Sequence, residues 1–335
     1  MAKLLGNQTV LLDKQPIILS GAAIVGKKEG DGPLAKYFDD IVDDEYAGEK
    51  TFEAAESRIL RDAFIKLLEK SGKASTDINL ILSGDLLNQC TAASYAFRDV
   101  DIPYLGLYGA CSTMSESMTI ASMLIDGGSI DYAVCAASSH FCSAERQYRF
   151  PLEYGSQRTP TAQWTVTGAG AVLLGKEGQG PRITSVTPGK IIDEGIKDSN
   201  NMGAAMSPAA CDTILNHLND TGRTVDDMDI ILTGDLGSFG TTMLRELLIK
   251  NGIDPKNKLS DCGTLIFNLE KQGVVCGGSG CGCSASVFST YILDQFSKGI
   301  LNRVLFVATG ALLSPTRIQQ GETIPSIAHA VLVEA

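Results

Sequence analysis

Asp77-Ile78-Asn79-Leu80-Ile81-Leu82-Ser83-Gly84-Asp85-Leu86 returns in the second half of the chain as Asp227-Met228-Asp229-Ile230-Ile231-Leu232-Thr233-Gly234-Asp235-Leu236. Each copy is an apolar run of strand length closed by Gly-Asp, which reads as a buried strand running into a turn. The neighbours of this stretch recur in the same order, the mark of internal duplication. The helical pattern from Thr51 to Ser71 is matched by Ala204 to Asn219, and the strand Tyr132 to Ala137 by Arg303 to Ala308. The turn Gly109-Ala110-Cys111-Ser112-Thr113 has its counterpart in Gly280-Cys281-Gly282-Cys283-Ser284, and each leads into a helix, to about Asp126 and Phe296. The chain therefore divides into two halves, residues 1–180 and 181–335. Each alternates strands with helices and is expected to form a layered α/β unit with right-handed crossovers. Two such units would pack through their helices, with both glycine turns facing one cleft.

Around this frame the remaining stretches are simpler. Met1 to Asp13 reads as an arm. Ile17-Ile18-Leu19 is a first strand that runs into a Gly/Ala turn, and Ala35 to Glu49, rich in acidic residues, reads as a solvated insertion. Thr51 is placed to cap the helix that follows, with Ile59, Ala63 and Leu67 on one face. Ala92 to Arg98 is a short helix, Ala169 to Leu174 a strand, and His140 to Gly168 a long polar and aromatic segment.

Composition excludes several classes of function. With 335 residues, 44% hydrophobic and 20% charged, the chain is suited to two linked cores rather than to disorder. No apolar run reaches membrane-spanning length, and the N-terminus lacks a secretory signal pattern. The nine cysteines are therefore expected to stay reduced. Cys276, Cys281 and Cys283 lie close together but have no second pair or histidine nearby, so no metal site is expected. A net charge of −11 without a basic block argues against nucleic acid.

The stretch Gly106-Leu107-Tyr108-Gly109-Ala110-Cys111-Ser112 carries the chemistry. It reads as strand, tight turn, thiol and helix, which places Cys111 at a helix N-terminus. Unpaired amides and the helix dipole there favour negative charge, so the thiol pKa is expected to fall. The same amides could hold a carboxylate or an oxyanion instead. A plain space-filling thiol is the alternative.

Two duplicated α/β halves with a cysteine at the start of a buried helix resemble the thiolase and ketoacyl-synthase superfamily, over nearly the whole chain. The resemblance implies a duplicated αβαβα five-layered fold, a homodimer, and an acyl-accepting nucleophile at the position of Cys111. A closer resemblance is carried by Gly109-Ala110-Cys111-Ser112-Thr113, by Ser138-Ser139-His140-Phe141-Cys142-Ser143-Ala144-Glu145-Arg146-Gln147, and by Pro160-Thr161-Ala162-Gln163-Trp164-Thr165-Val166-Thr167-Gly168-Ala169-Gly170. These segments are similar to the stage V sporulation protein AD family of spore-forming Firmicutes. That family implies binding of dipicolinic acid, free or as its calcium salt, and action with stage V membrane proteins that move the compound into the developing spore. It also implies an intracellular place in the forespore, peripheral at the spore inner membrane through those partners. No cofactor is implied, and calcium enters only as part of the ligand.

Against an enzyme stands the loss of bases. Where thiolases carry a Gly-His-Pro turn this chain has Cys281, and where type III ketoacyl synthases place a histidine after a strand it has Gly234-Asp235-Leu236. Only His140, His217 and His329 exist. The expectation is a non-catalytic pocket, with an acyltransferase using Cys111, or a scaffold without ligand, as the alternatives. For a planar dicarboxylate the candidate contacts are Cys111 and Ser112, Glu116 on the following helix, His140, Arg146 and Arg149, Trp164 with Phe141 and Tyr148, and the second turn at Cys281 and Gly282. Each has a plain alternative. The arginines can pair with Glu145 or Glu153 or lie at the dimer interface, Trp164 can pack in the core or an interface, His140 can be a satisfied turn residue, and Glu116 can be a partner of the helix dipole. Asp85 and Asp235 are explained first as turn residues.

Overall fold

A computed structural model describes residues 2–148 and 158–335. The first half contributes strands β1 (Ile17–Gly26), β2 (Leu80–Gly84), β3 (Tyr104–Gly106), β4 (Tyr132–Ser139) and β5 (Gly168–Gly175). Its helices are α1 (Phe52–Ser71), α2 (Thr91–Phe97), α3 (Thr113–Asp126) and α4 (Phe141–Tyr148). The second half contributes β6 (Arg182–Thr187), β7 (Ile230–Thr233), β8 (Leu259–Asp261), β9 (Arg303–Ala311) and β10 (Ser326–Glu334), with α5 (Met202–Thr221), α6 (Gly237–Lys250) and α7 (Cys281–Val287).

The first sheet runs β3-β2-β4-β5-β1 and the second β8-β7-β9-β10-β6. Both therefore have the order third, second, fourth, fifth, first. The first three of those positions are parallel and the last two pairings antiparallel in each. The sheets join through a single antiparallel residue pair, Arg182 with Ile17.

The repeated stretch owes its residues to work on the backbone. Asp77 accepts a hydrogen bond from the Ala74 amide at 2.9 Å, and Asp227 one from the Thr224 amide at 2.7 Å, each holding the turn before the strand. Asn79 accepts the amides of Asp131 and Tyr132, both at 2.9 Å, and Asp229 those of Asn302 and Arg303 at 2.6 and 2.9 Å. Each thus ties the start of one strand to its parallel neighbour. The long helices repeat even in their ends. Thr51 caps α1 and Asn201 caps α5, both through an amide three residues on, and Gly72 and Gly222 end them at φ +66°.

Three buried clusters define the layers. One lies between the first sheet and α1 and α2, built on Ile59, Ala63, Leu67, Ile81 and Val134. Another lies between the second sheet and α5 and α6, built on Met206, Ile214, Leu244, Leu305 and Leu332. The largest fills the space between the sheets around α3 and α7, with Met114, Met118, Ala285 and Phe288. Helix, sheet, paired central helices, sheet, helix is the five-layered αβαβα arrangement. Central packing is close enough that a Cβ on Gly282 would lie 2.3 Å from the Gly168 carbonyl oxygen.

Three local readings change. The Gly/Ala stretch after Leu19 is not a turn: β1 continues through Gly21-Ala22-Ala23 to Gly26, paired with β5. The N-terminal arm forms a small hairpin, Lys3–Leu5 with Thr9–Leu11, whose second strand pairs with β6. The acidic insertion is anchored by Asp40–Val42, which pairs parallel with the end of β1.

Candidate functional site

Cys111 does not open a long helix. It is the middle residue of a single 3₁₀ turn, Ala110–Ser112, and α3 begins at Thr113. Ala110 has φ +49°, in the left-handed region that a residue with a Cβ adopts only when its surroundings impose it. Those surroundings are visible. The Ser112 amide and hydroxyl both donate to the Gly109 carbonyl, at 3.1 and 2.6 Å, and the Thr113 hydroxyl donates to the Ala110 carbonyl at 2.7 Å. Gly310, on β9 of the other half, presses on the turn so closely that a Cβ there would sit 2.1 Å from the Gly109 oxygen. The amides of Ser112 and Thr113 are spent inside the turn and are not offered to an anion.

The expected activation of the thiol is reversed. Burial pushes the Cys111 thiol well above its ordinary pKa, and the negative charge of the nearby Asp235 carboxylate pushes it further. Asp235 is fully buried. It also accepts from the Gly280 amide at 2.9 Å, the Thr309 hydroxyl at 3.0 Å and the Ser279 hydroxyl at 3.4 Å. Burial raises its own pKa to about 7 despite these donors. Asp85, its repeat partner, behaves as a turn residue should, accepting the Leu87 and Ala93 amides at 2.8 Å each. Asp235 does not, because Asp261 takes the Leu236 and Gly237 amides at 2.8 and 3.0 Å and frees it to cross to the first half.

Beside the thiol lies a small cavity, partly open to solvent. Leu86, Ala110, Ala144, Met202, Ala311 and Leu313 make its apolar walls, and Gln163, Thr165, Ser199, Asn200, Ser279, Tyr148 and Glu145 its polar ones. Tyr148 donates to the Leu86 carbonyl, and Gln163 donates to the Asp235 carbonyl. Glu145 pairs at 3.3 Å with Arg158, which also donates to the Gln163 carbonyl at 2.9 Å.

Of the residues expected from sequence, Cys111 and the flat contact Tyr148 line this cavity. Ser112 is buried within its turn. Glu116 turns back toward Gly109, its Oε2 buried without a hydrogen-bond partner and its pKa raised by burial. His140 is fixed elsewhere. Its Nε2 donates to the Glu45 carbonyl at 2.8 Å, its Nδ1 accepts the Cys142 amide at 3.1 Å, and burial lowers its pKa, so it is a neutral, satisfied turn histidine. Arg146 is exposed and pairs with Glu53; Glu153 lies outside the described residues. Arg149 lies outside the described residues. Trp164 stacks on Phe141, with ring centroids 4.0 Å apart, under Lys28 and Arg158, and lines a separate groove. Cys281 is fully buried and donates to the Ser138 carbonyl at 2.8 Å, and the Gly282 amide donates to Ser139. The second turn therefore seals the first sheet instead of lining the cleft. The other two histidines are spent as well. His217 Nδ1 bonds the Thr187 hydroxyl and His329 accepts the Gly189 amide.

Sequence reasoning missed Asp235 as the partner of the thiol, and missed Glu145, Gln163 and Arg158. For Asp235 there was a signal: it belongs to the Gly234-Asp235-Leu236 segment, where the resemblance implied a histidine that the chain lacks.

These buried acids have a consequence for stability. Asp235 and Glu29 are raised to about 7 and Asp261 and Asp85 to about 6, all by burial. Between their ordinary values and these, the folded chain holds protons that the unfolded chain has released. Stability contributed by them is present at low pH and lost as pH rises toward 7. His217 and His329, held neutral by burial with pKa values of about 4, work in the opposite sense, but only below about 6.5. Four groups outweigh two. The urea midpoint is expected to be higher at pH 5.5 than at pH 8, and a midpoint that rises from 5.5 to 8 contradicts this accounting.

The fold is that of thiolase-like condensing enzymes. Similar solved structures include 3-oxoacyl-[acyl-carrier-protein] synthase III from Aquifex aeolicus VF5, with a TM-score of 0.59, 14% identity, and coverage of 96% of this chain and 100% of that one. Another is cerulenin-bound OleA from Xanthomonas campestris, with a TM-score of 0.59, 16% identity, and coverage of 97% and 98%. Within that class the match is more specific. The family model of stage V sporulation protein AD matches residues 6–334. Stage V sporulation protein AD of Bacillus subtilis (strain 168) is 48% identical over 332 residues, 99% of this chain and 98% of that protein. The chain belongs to the stage V sporulation protein AD family. No helix among its described residues is long and apolar enough to cross a membrane.

Proposed function

We propose that the chain binds dipicolinic acid, as the acid or its calcium salt, in the Cys111 cavity, and does so without catalysis. The observation that carries this reading is the state of the thiol. At the wall of a mainly apolar cavity it is kept protonated by burial and by Asp235. A nucleophile needs the opposite, a neighbouring base or a lowered pKa, and the three histidines are engaged elsewhere. What remains suits a flat ring. Leu86, Met202 and Leu313 offer apolar faces, and Gln163, Thr165, Ser199 and Asn200 offer hydrogen-bonding groups for carboxylates. The role is support of dipicolinate transport into the developing spore, with membrane proteins of the same sporulation stage as partners and a peripheral position at the spore inner membrane through them. Calorimetric titration with dipicolinate, with and without calcium, tests it: saturable one-to-one binding supports the reading, and no heat at millimolar ligand defeats it.

A second reading, acyl transfer through Cys111, is favoured by the imposed conformation of Ala110 beside a cavity thiol. It makes a separable forecast. Incubation with radiolabelled acetyl-coenzyme A is expected to leave no acyl-cysteine, and iodoacetamide at pH 7.5 to alkylate Cys111 more slowly than the partly exposed Cys90 and Cys142. Label that vanishes in Cys111→Ala would instead establish the enzyme.

The chain is also proposed to be a homodimer. Among the described residues β3 pairs only with β2, which leaves an open sheet edge with Leu105 44% exposed. Light scattering at micromolar concentration should give twice 35.5 kDa, and a monomer mass counts against it.

A further inference from the structure

We infer that Glu56 and Asp85 form a buried acid latch behind one wall of the Cys111 cavity, which holds that wall while the pair keeps a proton and frees it when both acids ionise. The effect on ligand affinity rests on the cavity being the dicarboxylate site, whereas the movement of the wall does not. Neither acid lines the cavity. Glu56, on α1, is 1% exposed, and its two oxygens accept the Ser138 hydroxyl of β4 at 3.1 Å and the Ser143 hydroxyl of α4 at 2.8 Å. It thereby ties α1 and β4 to α4, the short helix that brings Ala144, Glu145 and Tyr148 to the cavity. Asp85 holds the adjoining part of the wall. It accepts the Leu87 and Ala93 amides at 2.8 Å each and so fixes the turn that carries Leu86. The two parts are joined to each other: Gln147 donates to the Leu86 carbonyl and accepts the Asn88 amide, both at 3.0 Å, and Tyr148 donates to the Leu86 carbonyl.

The pair is short of positive charge. The groups that face Glu56 are Asp85, Glu53 and the Cys281 thiol. Glu53, one turn earlier on α1, is taken by Arg146 at the surface, and Cys281 donates to the Ser138 carbonyl. Those that face Asp85 are Glu56 and the neutral Cys90, Tyr104 and Cys281. Among the described residues no basic side chain pairs with either acid, so they rely on serine hydroxyls and backbone amides. Burial holds Glu56 well above the usual carboxylate range, the Asp85 charge adding to it, and raises Asp85 to about 6. A neutral Glu56 keeps both serines, accepting from one and donating to the other. Once it ionises, two negative charges share a buried site without a counter-ion. Water entering behind α4 and the Leu86 turn relieves them, and the wall loosens. The closed wall is the protonated state, so α4 is held at low pH and released as pH rises through the range in which Glu56 ionises. By linkage, a ligand that needs the closed wall binds more weakly on the alkaline side.

Hydrogen–deuterium exchange of the full chain at several pH values from 6 to 9, corrected for intrinsic exchange, tests the latch. In the parent, protection of residues 141–148 should fall by about tenfold or more across this range, while that of α5 in the other half changes by less than about threefold. Glu56→Gln keeps the hydrogen-bonding shape and cannot ionise, so its α4 protection should stay level. Ser143→Ala cuts the tether and should give low α4 protection that no longer follows pH, with circular dichroism verifying the fold of both variants. Calorimetry with dipicolinate over the same range should show the parent losing at least about fivefold more affinity than Glu56→Gln. Protection of α4 that ignores pH in the parent, or that falls as steeply in folded Glu56→Gln or Ser143→Ala, overturns the latch. A working latch with equal loss of affinity in parent and Glu56→Gln overturns its coupling to the cavity. A working latch with no dipicolinate binding at any pH overturns the dicarboxylate reading alone.

Discussion

A Cys111→Trp protein is expected to fold, to melt within several degrees of the parent, and to have lost dipicolinate binding by more than about a hundredfold, some 2.8 kcal/mol. The thiol borders the cavity at 5% exposure, so an indole at this position projects into that space. Overpacking of this kind usually costs about 1–3 kcal/mol of stability, which a chain of this size tolerates. Filling the slot removes the faces against which a planar ring would lie. Ala144 borders the same cavity from α4, so Ala144→Trp should have the same effect from another wall. A folded Cys111→Trp protein that binds as the parent does would remove this cavity from the account.

The second large effect concerns Asp261, which does not line the cavity. Its carboxylate is fully buried and accepts four hydrogen bonds: from the Thr233 hydroxyl at 2.8 Å and from the amides of Leu236, Gly237 and Thr264 at 2.8, 3.0 and 3.2 Å. Those amides belong to the turn from which Asp235 reaches Cys111 and to the short helix that Asp261 caps. In Asp261→Ala all four donors lose a partner inside the protein. Unsatisfied buried donors cost about 1–3 kcal/mol each, and relaxation recovers part of the sum. Removal of an acid that burial already strains to a pKa of about 6 recovers more. A net loss of about 3–5 kcal/mol is expected, a fall of roughly 4–7 °C in Tm for a chain of this length. Asp261→Asn keeps an acceptor and should lose less than half as much. A thermal midpoint within about 2 °C of the parent for Asp261→Ala contradicts the network described.

How far the sequence could be read is seen at these same residues. The duplication was legible because Asp77, Asn79 and their counterparts Asp227 and Asp229 hold backbone amides, and such local work keeps its spacing in both halves. The layered α/β class followed, since alternating α and β elements leave few topologies open, but the strand order with its two antiparallel pairings in each sheet did not. Of the cavity's lining, the sequence pointed only to Cys111 and Tyr148. His140 directly follows the strand β4, but whether it faces the cleft depends on Glu45, in a segment that the sequence shows only as acidic and solvated. Arg146 had acidic neighbours in sequence and chose Glu53, supplied by the first turn of α1. The pKa of Cys111 was misjudged because helix-end activation needs free amides and solvent, and the turn uses its amides internally while Asp235 arrives from the other half of the chain. Asp85 and Asp235 have closely matching local sequence. Only the presence of Asp261 at the end of β8 separates a turn residue from the partner of the thiol.

The most direct test of the proposed function is a crystal structure of the protein grown with dipicolinate and calcium. The account predicts ligand density between Leu86, Met202 and Leu313, within contact of Cys111, with an unmodified thiol and Asp235 in place. Density for the ligand at another surface, with the Cys111 cavity empty at saturating concentration, would contradict it.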